Sequence, residues 1–245
     1  MAGKSPEGKV VDAHCHLDSF KKKQLEALPE GIIPVTCGYS HSSNRKTVEI
    51  AGELGVPFCL GIAPQTVLKE GKENLGEWMQ FIADNRPNAV GEVGLDRHWG
   101  KTREDFELEE GVFREMIFLA QKLELPLVIH SRKAESWCLD VLEETGWKGR
   151  FMMHFFAGGL DDARRAVDMG GIISIIGLHS KHRKKIIREL PLGKMVVETD
   201  APYVTRNIDG VFEAIEYISK LTGFPEREVG EVTAKNASEF FRFGF

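Results

Sequence analysis

A chain of 245 residues, 42% of them hydrophobic, has the length for one large domain or two small ones and enough apolar side chains for a substantial core. Its formal net charge of -5 argues against a protein coated for non-specific nucleic-acid binding, while leaving room for a local basic site. No run approaches the roughly 20 apolar residues of a membrane span, and Met1 to Lys9 lack the apolar stretch of a secretory leader, so a cytoplasmic protein without membrane association is expected.

The first strand is read at Val10 to Ala13 in the stretch Val10-Val11-Asp12-Ala13-His14-Cys15-His16-Leu17-Asp18. Period-two geometry would place Asp12, His14 and His16 on one face and turn Cys15 to the other. Two imidazoles so spaced can grip one ion, but the same spacing occurs in loops and in satisfied cores. Its meaning depends on other ligands arriving at equivalent places.

Further short apolar runs follow at Ile32 to Cys37, Val56 to Ile62, Asn88 to Val93, Leu125 to His130, Arg150 to Phe155, Gly171 to Ile176 and Met195 to Thr199. Between them lie stretches of helical spacing: one entered at Ser42-Ser43-Asn44 and closed by Gly55, then Leu75 to Ala83, Phe106 to Leu123, Ala134 to Leu142, Asp161 to Met169 and Lys184 to Leu190. Eight strands alternating with helices, without linker or repeat, predict an α/β fold: a single (β/α)8 TIM barrel over residues 1–245, with an additional C-terminal helix over Pro225 to Phe241. A doubly wound sheet is the alternative. Cys15, Cys37, Cys59 and Cys138 form no CxxC pair and read as buried free thiols.

In a barrel the reactive residues sit where strands end. Those ends carry His14 and His16 after strand one, Glu92 after strand four, His130 after strand five, His154 after strand six and Asp200 after strand eight. Singly, a histidine such as His130 or His154 is more often a core or capping residue; six candidates at consistent positions point to metal. One ion rarely takes six protein ligands and stays open for chemistry. Two can share them, with His14, His16 and Asp200 on one, His130 and His154 on the other, and Glu92 bridging both. Such a pair would hold a water between its ions and clamp the attacking and leaving oxygens of an in-line displacement.

VDAHCHLD, GEVGLD, LPLVIHSR, HFFAG and ETDAPY, in that order and at these spacings, resemble the TatD family of metal-dependent deoxyribonucleases, amidohydrolase-like barrels. The likeness covers nearly the whole chain, including the closing run Val232 to Ala237. It implies that His14, His16, Glu92, His130, His154 and Asp200 are the metal ligands, that two divalent ions (zinc, magnesium or manganese) are cofactors, and that DNA or another phosphodiester is hydrolysed, exonucleolytically in this family's manner. Asp200 and Glu92 are then the catalytic residues, Asp200 orienting the attacking water and taking its proton. No obligate protein partner is evident.

Around these ligands, Asp12 and Glu198 could fix an imidazole tautomer or pair with Arg132, or else form buried structural ion pairs. Arg132, and His182 and Arg183 within the cluster His179 to Lys185, are candidate phosphate contacts, with a solvated helix face as the other reading. Asp96 to Trp99 can hold a cation and an indole over the pocket, Trp99 either stacking on a base or packing the rim. Arg206 completes the substrate-contact candidates.

The chain departs from the family pattern at Ala63, where many members have histidine, at Glu109 and Met116, where glutamines are common, and in a short loop after ETDAPY that should leave the mouth more open. The alternatives are a related hydrolase of a small phosphoester, lactone or amide, and a non-enzymatic metal-binding barrel. Glu92, where amidohydrolases commonly place a carboxylated lysine, favours the nuclease branch; retention of all six ligands argues against a non-enzyme.

Overall fold

The computed structural model describes residues 8–244; residues 1–7, part of the segment on which the expected absence of a leader rests, lie outside the described residues, as does Phe245. Eight parallel strands, β1 (Val10–Cys15), β2 (Ile32–Cys37), β3 (Phe58–Leu60), β4 (Ala89–Gly94), β5 (Leu127–His130), β6 (Phe151–Met153), β7 (Gly171–Ile175) and β8 (Met195–Val197), follow one another in sheet order. A doubly wound sheet needs a reversal of strand order; none occurs here. The helices are α1 (Lys22–Leu25), α2 (His41–Leu54), α3 (Pro64–Glu70), α4 (Leu75–Asn85), α5 (Arg103–Leu123), α6 (Glu135–Glu144), α7 (Leu160–Asp168), α8 (Lys181–Glu189), α9 (Val211–Thr222) and α10 (Glu226–Phe241).

Local chemistry sets the boundaries. Ser40, two residues before the expected entry, caps α2 by accepting from the Ser43 amide at 3.2 Å, and Gly55 ends the helix at φ 66°. Helix α5 starts at Arg103 rather than Phe106, because Thr102 and Asp105 form a capping box ahead of the apolar face. The helix α3 was not anticipated: seven residues are too few for a periodic signal, and its one mark was Pro64 at the first turn.

The barrel interior is filled by Val11, Ala13, Val35, Cys37, Cys59, Ala89, Val128, Met152 and Val196. Ala234, Ala237, Phe240 and Phe241 of α10 pack against them, and Asn88 and Arg150, at the starts of strands, donate to the carbonyls of Phe241, Glu239 and Phe240. The C-terminal helix is therefore the plug of the N-terminal face, leaving the opposite mouth for chemistry. Side chains of the other strand face pack with the surrounding helices in a second layer. All four cysteines are free and buried. Among the described residues, no helix is long and apolar enough to cross a membrane.

Two strands break their register where candidate ligands lie. Asp12 pairs with Pro34 but Cys15 with Thr36, and Val90 pairs with Leu127 but Val93 with Ile129, so one extra residue is inserted in each of β1 and β4. A bulge of this kind re-aims side chains, and strict alternation over residues 12 to 16 does not hold. Glycine is required beside the second bulge: a Cβ on Gly94, at φ +135°, would lie 2.1 Å from the His130 carbonyl oxygen.

Buried Asn44 joins α2 to the end of β3, its amide nitrogen donating to the Gly61 carbonyl at 3.0 Å while its oxygen accepts from the Gly61 amide at 3.2 Å. Replacing Asn44 with Ala strands both backbone groups and should lower unfolding free energy by about 2 to 4 kcal/mol, read as a shift of the urea midpoint at constant slope; an unchanged midpoint refutes the assignment.

Candidate metal centre

Glu92 stands at the middle of the mouth, buried, with its two oxygens facing different imidazoles. Its Oε1 lies 2.7 Å from His130 Nδ1 and 3.6 Å from His154 Nε2. Its Oε2 lies 3.6 Å from His16 Nε2 and 3.9 Å from His14 Nε2. The His14 and His16 Nε2 atoms are 3.1 Å apart, and Asp200 Oδ1 approaches them at 3.8 and 3.2 Å. Asp200 has φ 51°, a left-handed conformation that Asp tolerates better than most residues, and its amide donates to the His14 carbonyl at 3.0 Å.

Three donor sets can each hold a metal ion: His14, His16 and Glu92; His14, His154 and Asp200; and Glu92, His130 and His154. Buried imidazoles with carboxylates suit zinc-like ions and admit manganese or magnesium. All six expected ligands are brought together. Asp200, however, groups with His154 as well as His14, so the donors overlap more than a clean division into two sets.

Three of the imidazoles are held from behind, which frees the inward nitrogen for a ligand. His16 Nδ1 lies 2.7 Å from the Cys37 carbonyl, His154 Nδ1 lies 3.1 Å from Glu198 Oε1, and His130 Nε2 lies 2.8 Å from Asp96 Oδ2. Glu198 thus holds a tautomer, as one of its two readings had it. Among the described residues Asp12 meets no imidazole side chain and no arginine; its carboxylate accepts from the Thr199 amide at 2.9 Å and the Thr199 hydroxyl at 2.5 Å. Sequence reasoning passed over Asp96 as a ligand support although it closes the GEVGLD motif. Its other oxygen accepts from the amides of His98 and Trp99, and its own amide donates to Glu109 Oε2 at 3.1 Å. Burial pushes the Glu109 carboxyl up to about 7.

Burial opposes every charge here, and neighbours decide the outcome. It lowers the His14 imidazole well below its usual range, helped by the imidazoles of His154 and His16. For Glu92 burial works upward but is overcome, first by the His130 hydrogen bond and then by the other imidazoles, which hold the carboxyl well below the usual range. His16 and His130 resist burial through their carboxylate partners, Asp200 and Glu92 for the first and Asp96 and Glu92 for the second, and rise to about 9 and about 10.

The ligands open into a cleft of about 830 Å³ whose walls include Arg132, Trp99, Phe155, Lys69, Tyr39 and Tyr203. Trp99, 56% exposed, and Arg132 therefore lie where substrate can reach them. Arg97 does not supply the expected cation over the pocket, because its guanidinium sits over the rings of Phe106 and Trp137, 4.5 and 4.1 Å from their centroids. Arg183 is corrected as a phosphate contact: it is 5% exposed and its guanidinium donates to the carbonyls of Leu178 and Phe156. His182 and Arg206 are exposed and do not line the cleft. Tyr39 and Tyr203 were missed as cleft residues, though Tyr39 stands two residues past the end of β2, where a barrel places functional side chains.

A family model for TatD related DNases matches residues 11–242. Among curated proteins the chain is 30% identical to an uncharacterized metal-dependent hydrolase of Methanocaldococcus jannaschii, over 96% of this chain and 97% of that protein. It is 29% identical to the human deoxyribonuclease TATDN3, over 95% and 94% of the two chains. In fold it is similar to a TatD homologue of Escherichia coli, with a TM-score of 0.83 and 23% identity over 96% of this chain and 98% of that one.

At pH 7, below the values of His16 and His130, both imidazoles of the metal-free protein carry a proton that a metal ligand must lose. Titrating zinc into metal-stripped protein in weak buffer at pH 7 should release at least the two protons of His16 and His130 per chain, with apparent affinity climbing as pH rises toward 9. Metal uptake without proton release at pH 7 would contradict this account.

Proposed function

Because this chain belongs to the TatD related DNase family, we propose that it is a metal-dependent deoxyribonuclease that hydrolyses DNA phosphodiester bonds from a strand end at a dinuclear centre in one barrel domain. The observation that carries the dinuclear reading is the division of Glu92, whose Oε1 serves His130 and His154 while Oε2 serves His14 and His16. That chain of contacts is what a bridging carboxylate requires. A naming of relatives as deoxyribonucleases supports the substrate class.

Divalent ions held by His14, His16, Glu92, His130, His154 and Asp200 would supply Lewis acidity toward a phosphoryl oxygen and activate water. The chain's own residues do the rest. Asp200 Oδ1, 3.2 Å from His16 Nε2 and open to the cleft, accepts the proton of the attacking water and orients it. Glu92, kept ionised by its imidazoles, fixes the spacing of the two donor groups. Arg132 neutralises a phosphate, and Trp99 offers its exposed face to a base, a stack worth about 1 to 3 kcal/mol in single-strand binders. His182 and Arg206 are left for a strand extending beyond the cleft.

End-labelled single- and double-stranded DNA, incubated with metal-stripped protein and Mg²⁺, Mn²⁺ or Zn²⁺, should release nucleotides only when metal is present. Asp200→Asn should lower kcat by roughly 100-fold or more while retaining most of the bound metal, and Glu92→Gln should lose both metal and turnover. Intact DNA under every metal would turn the reading to a small phosphoester, lactone or amide.

A further inference from the structure

Three hydroxyls from three different segments meet beside His16, those of Tyr39 and Tyr203 on the cleft wall. Ser19 follows β1, Tyr39 follows β2 and Tyr203 follows β8. Ser19 Oγ lies 2.9 Å from the Tyr203 hydroxyl, and Tyr203 donates to the Tyr39 hydroxyl at 3.0 Å. Each hydroxyl has one proton to give. With the Tyr203 proton committed to Tyr39, the Ser19 contact is filled by the Ser19 proton, so the chain runs from Ser19 through Tyr203 to Tyr39. The Tyr39 proton is its free end: among the described residues no acceptor for that hydroxyl proton is found.

That free donor is aimed into a defined place. Both tyrosine rings stand edge-on to His16, with centroids 5.4 Å away for Tyr39 and 5.1 Å for Tyr203, and both line the cleft that holds Glu92 and Asp200. The rings themselves meet at 6.2 Å, so each phenol is fixed by a ring contact as well as a hydrogen bond. Tyr203 is 57% exposed yet tied at its hydroxyl to two other loops. The Tyr39 backbone is anchored too, its carbonyl accepting from the Ala63 amide at 2.9 Å and the Thr66 hydroxyl at 2.8 Å.

We propose that the Tyr39 hydroxyl donates a hydrogen bond to a non-bridging oxygen of the substrate phosphoryl group, and that Tyr203 and Ser19 are positioning residues that orient and polarise it. This deepens the nuclease reading by assigning a protein donor to the phosphoryl group, and its phosphate-binding arm stands apart from DNA cleavage. A donor fixed in advance where negative charge develops stabilises the transition state more than the ground state. A hydroxyl that itself accepts a hydrogen bond is a better donor.

The test is a double-variant cycle on the metal-loaded protein, with kcat/KM on DNA and calorimetric binding of inorganic phosphate as its two readouts. Tyr39→Phe keeps the ring and should lower kcat/KM by roughly 100-fold and phosphate affinity by roughly tenfold. Tyr203→Phe should lower kcat/KM only several-fold, and adding it to Tyr39→Phe should cost nothing more, because Tyr203 acts through Tyr39. Losses that multiply in the double variant overturn the hydroxyl chain. Unchanged phosphate affinity in Tyr39→Phe overturns the proposal. Wild-type protein that leaves DNA intact but binds phosphate about tenfold more tightly than Tyr39→Phe removes the nuclease reading and upholds this one.

Discussion

The seam between the first and last strands is where the site is made. Asp12, buried in β1, accepts both the amide and the hydroxyl of Thr199. Further along the same seam, Asp200 donates its amide to the His14 carbonyl, and the His16 amide donates to the carbonyl of Ala201. These bonds join the two ends of the sheet at the height of the ligands, so closure of the barrel and placement of His14, His16 and Asp200 are a single event. A buried carboxyl is costly unless it is hydrogen-bonded, and burial does drive the Asp12 carboxyl well above its usual range. Its cost is offset because it holds together residues nearly 190 positions apart in the chain.

The bulges in β1 and β4 carry the same logic to the other ligands. A regular strand alternates between core and helix layer, and neither face alone lets a residue reach over the mouth toward ligands on several neighbouring strands. One inserted residue breaks the alternation at His14 and again at Glu92. The glycines around Glu92 follow from the resulting crowding: a Cβ on Gly61 would lie 2.4 Å from the Glu92 carbonyl oxygen, and one on Gly91 would lie 2.5 Å from Val128 Cβ. Glycine in GEVGLD is thus a packing requirement on the carboxylate that divides its oxygens between imidazoles.

This explains which parts of the molecule could be read from the sequence. Strand order, the plugging helix α10 and the six residues that cluster at the mouth were legible because each leaves a local mark: an apolar run, a helical period, or an ionisable residue at a strand end. Helix α3 was too short to show a period, and the bulges cannot be seen in one strand's residues because register belongs to a pair. Charged side chains misled for a related reason. Arg97 and Arg183 carry the charge expected of phosphate contacts, yet one lies on aromatic rings and the other on carbonyls. A guanidinium with a long apolar stem is as well suited to fastening loops as to binding anions. The roles of Asp96 and Tyr39 depend on partners 34 residues away at His130 and 164 away at Tyr203, separations that local sequence does not reveal.

The electrostatics of the cluster favour a dication over any arrangement of protons. Glu92 and Asp96 are anions held by His130, while His14, at the centre of the donors, is pressed toward neutrality by burial and by its imidazole neighbours. Protons settle instead on the imidazoles that a carboxylate holds, His16, His130 and, beside Glu198, His154. His14 and His154, stacked with centroids 3.8 Å apart, are poorly placed to be charged together. A divalent ion needs neutral imidazoles and ionised carboxylates at once, and it satisfies the inner nitrogens that protons cannot share. The backing groups, a carbonyl behind His16 and carboxylates behind His130 and His154, then act in one direction: each fixes a ring nitrogen outward and leaves its counterpart facing the cleft.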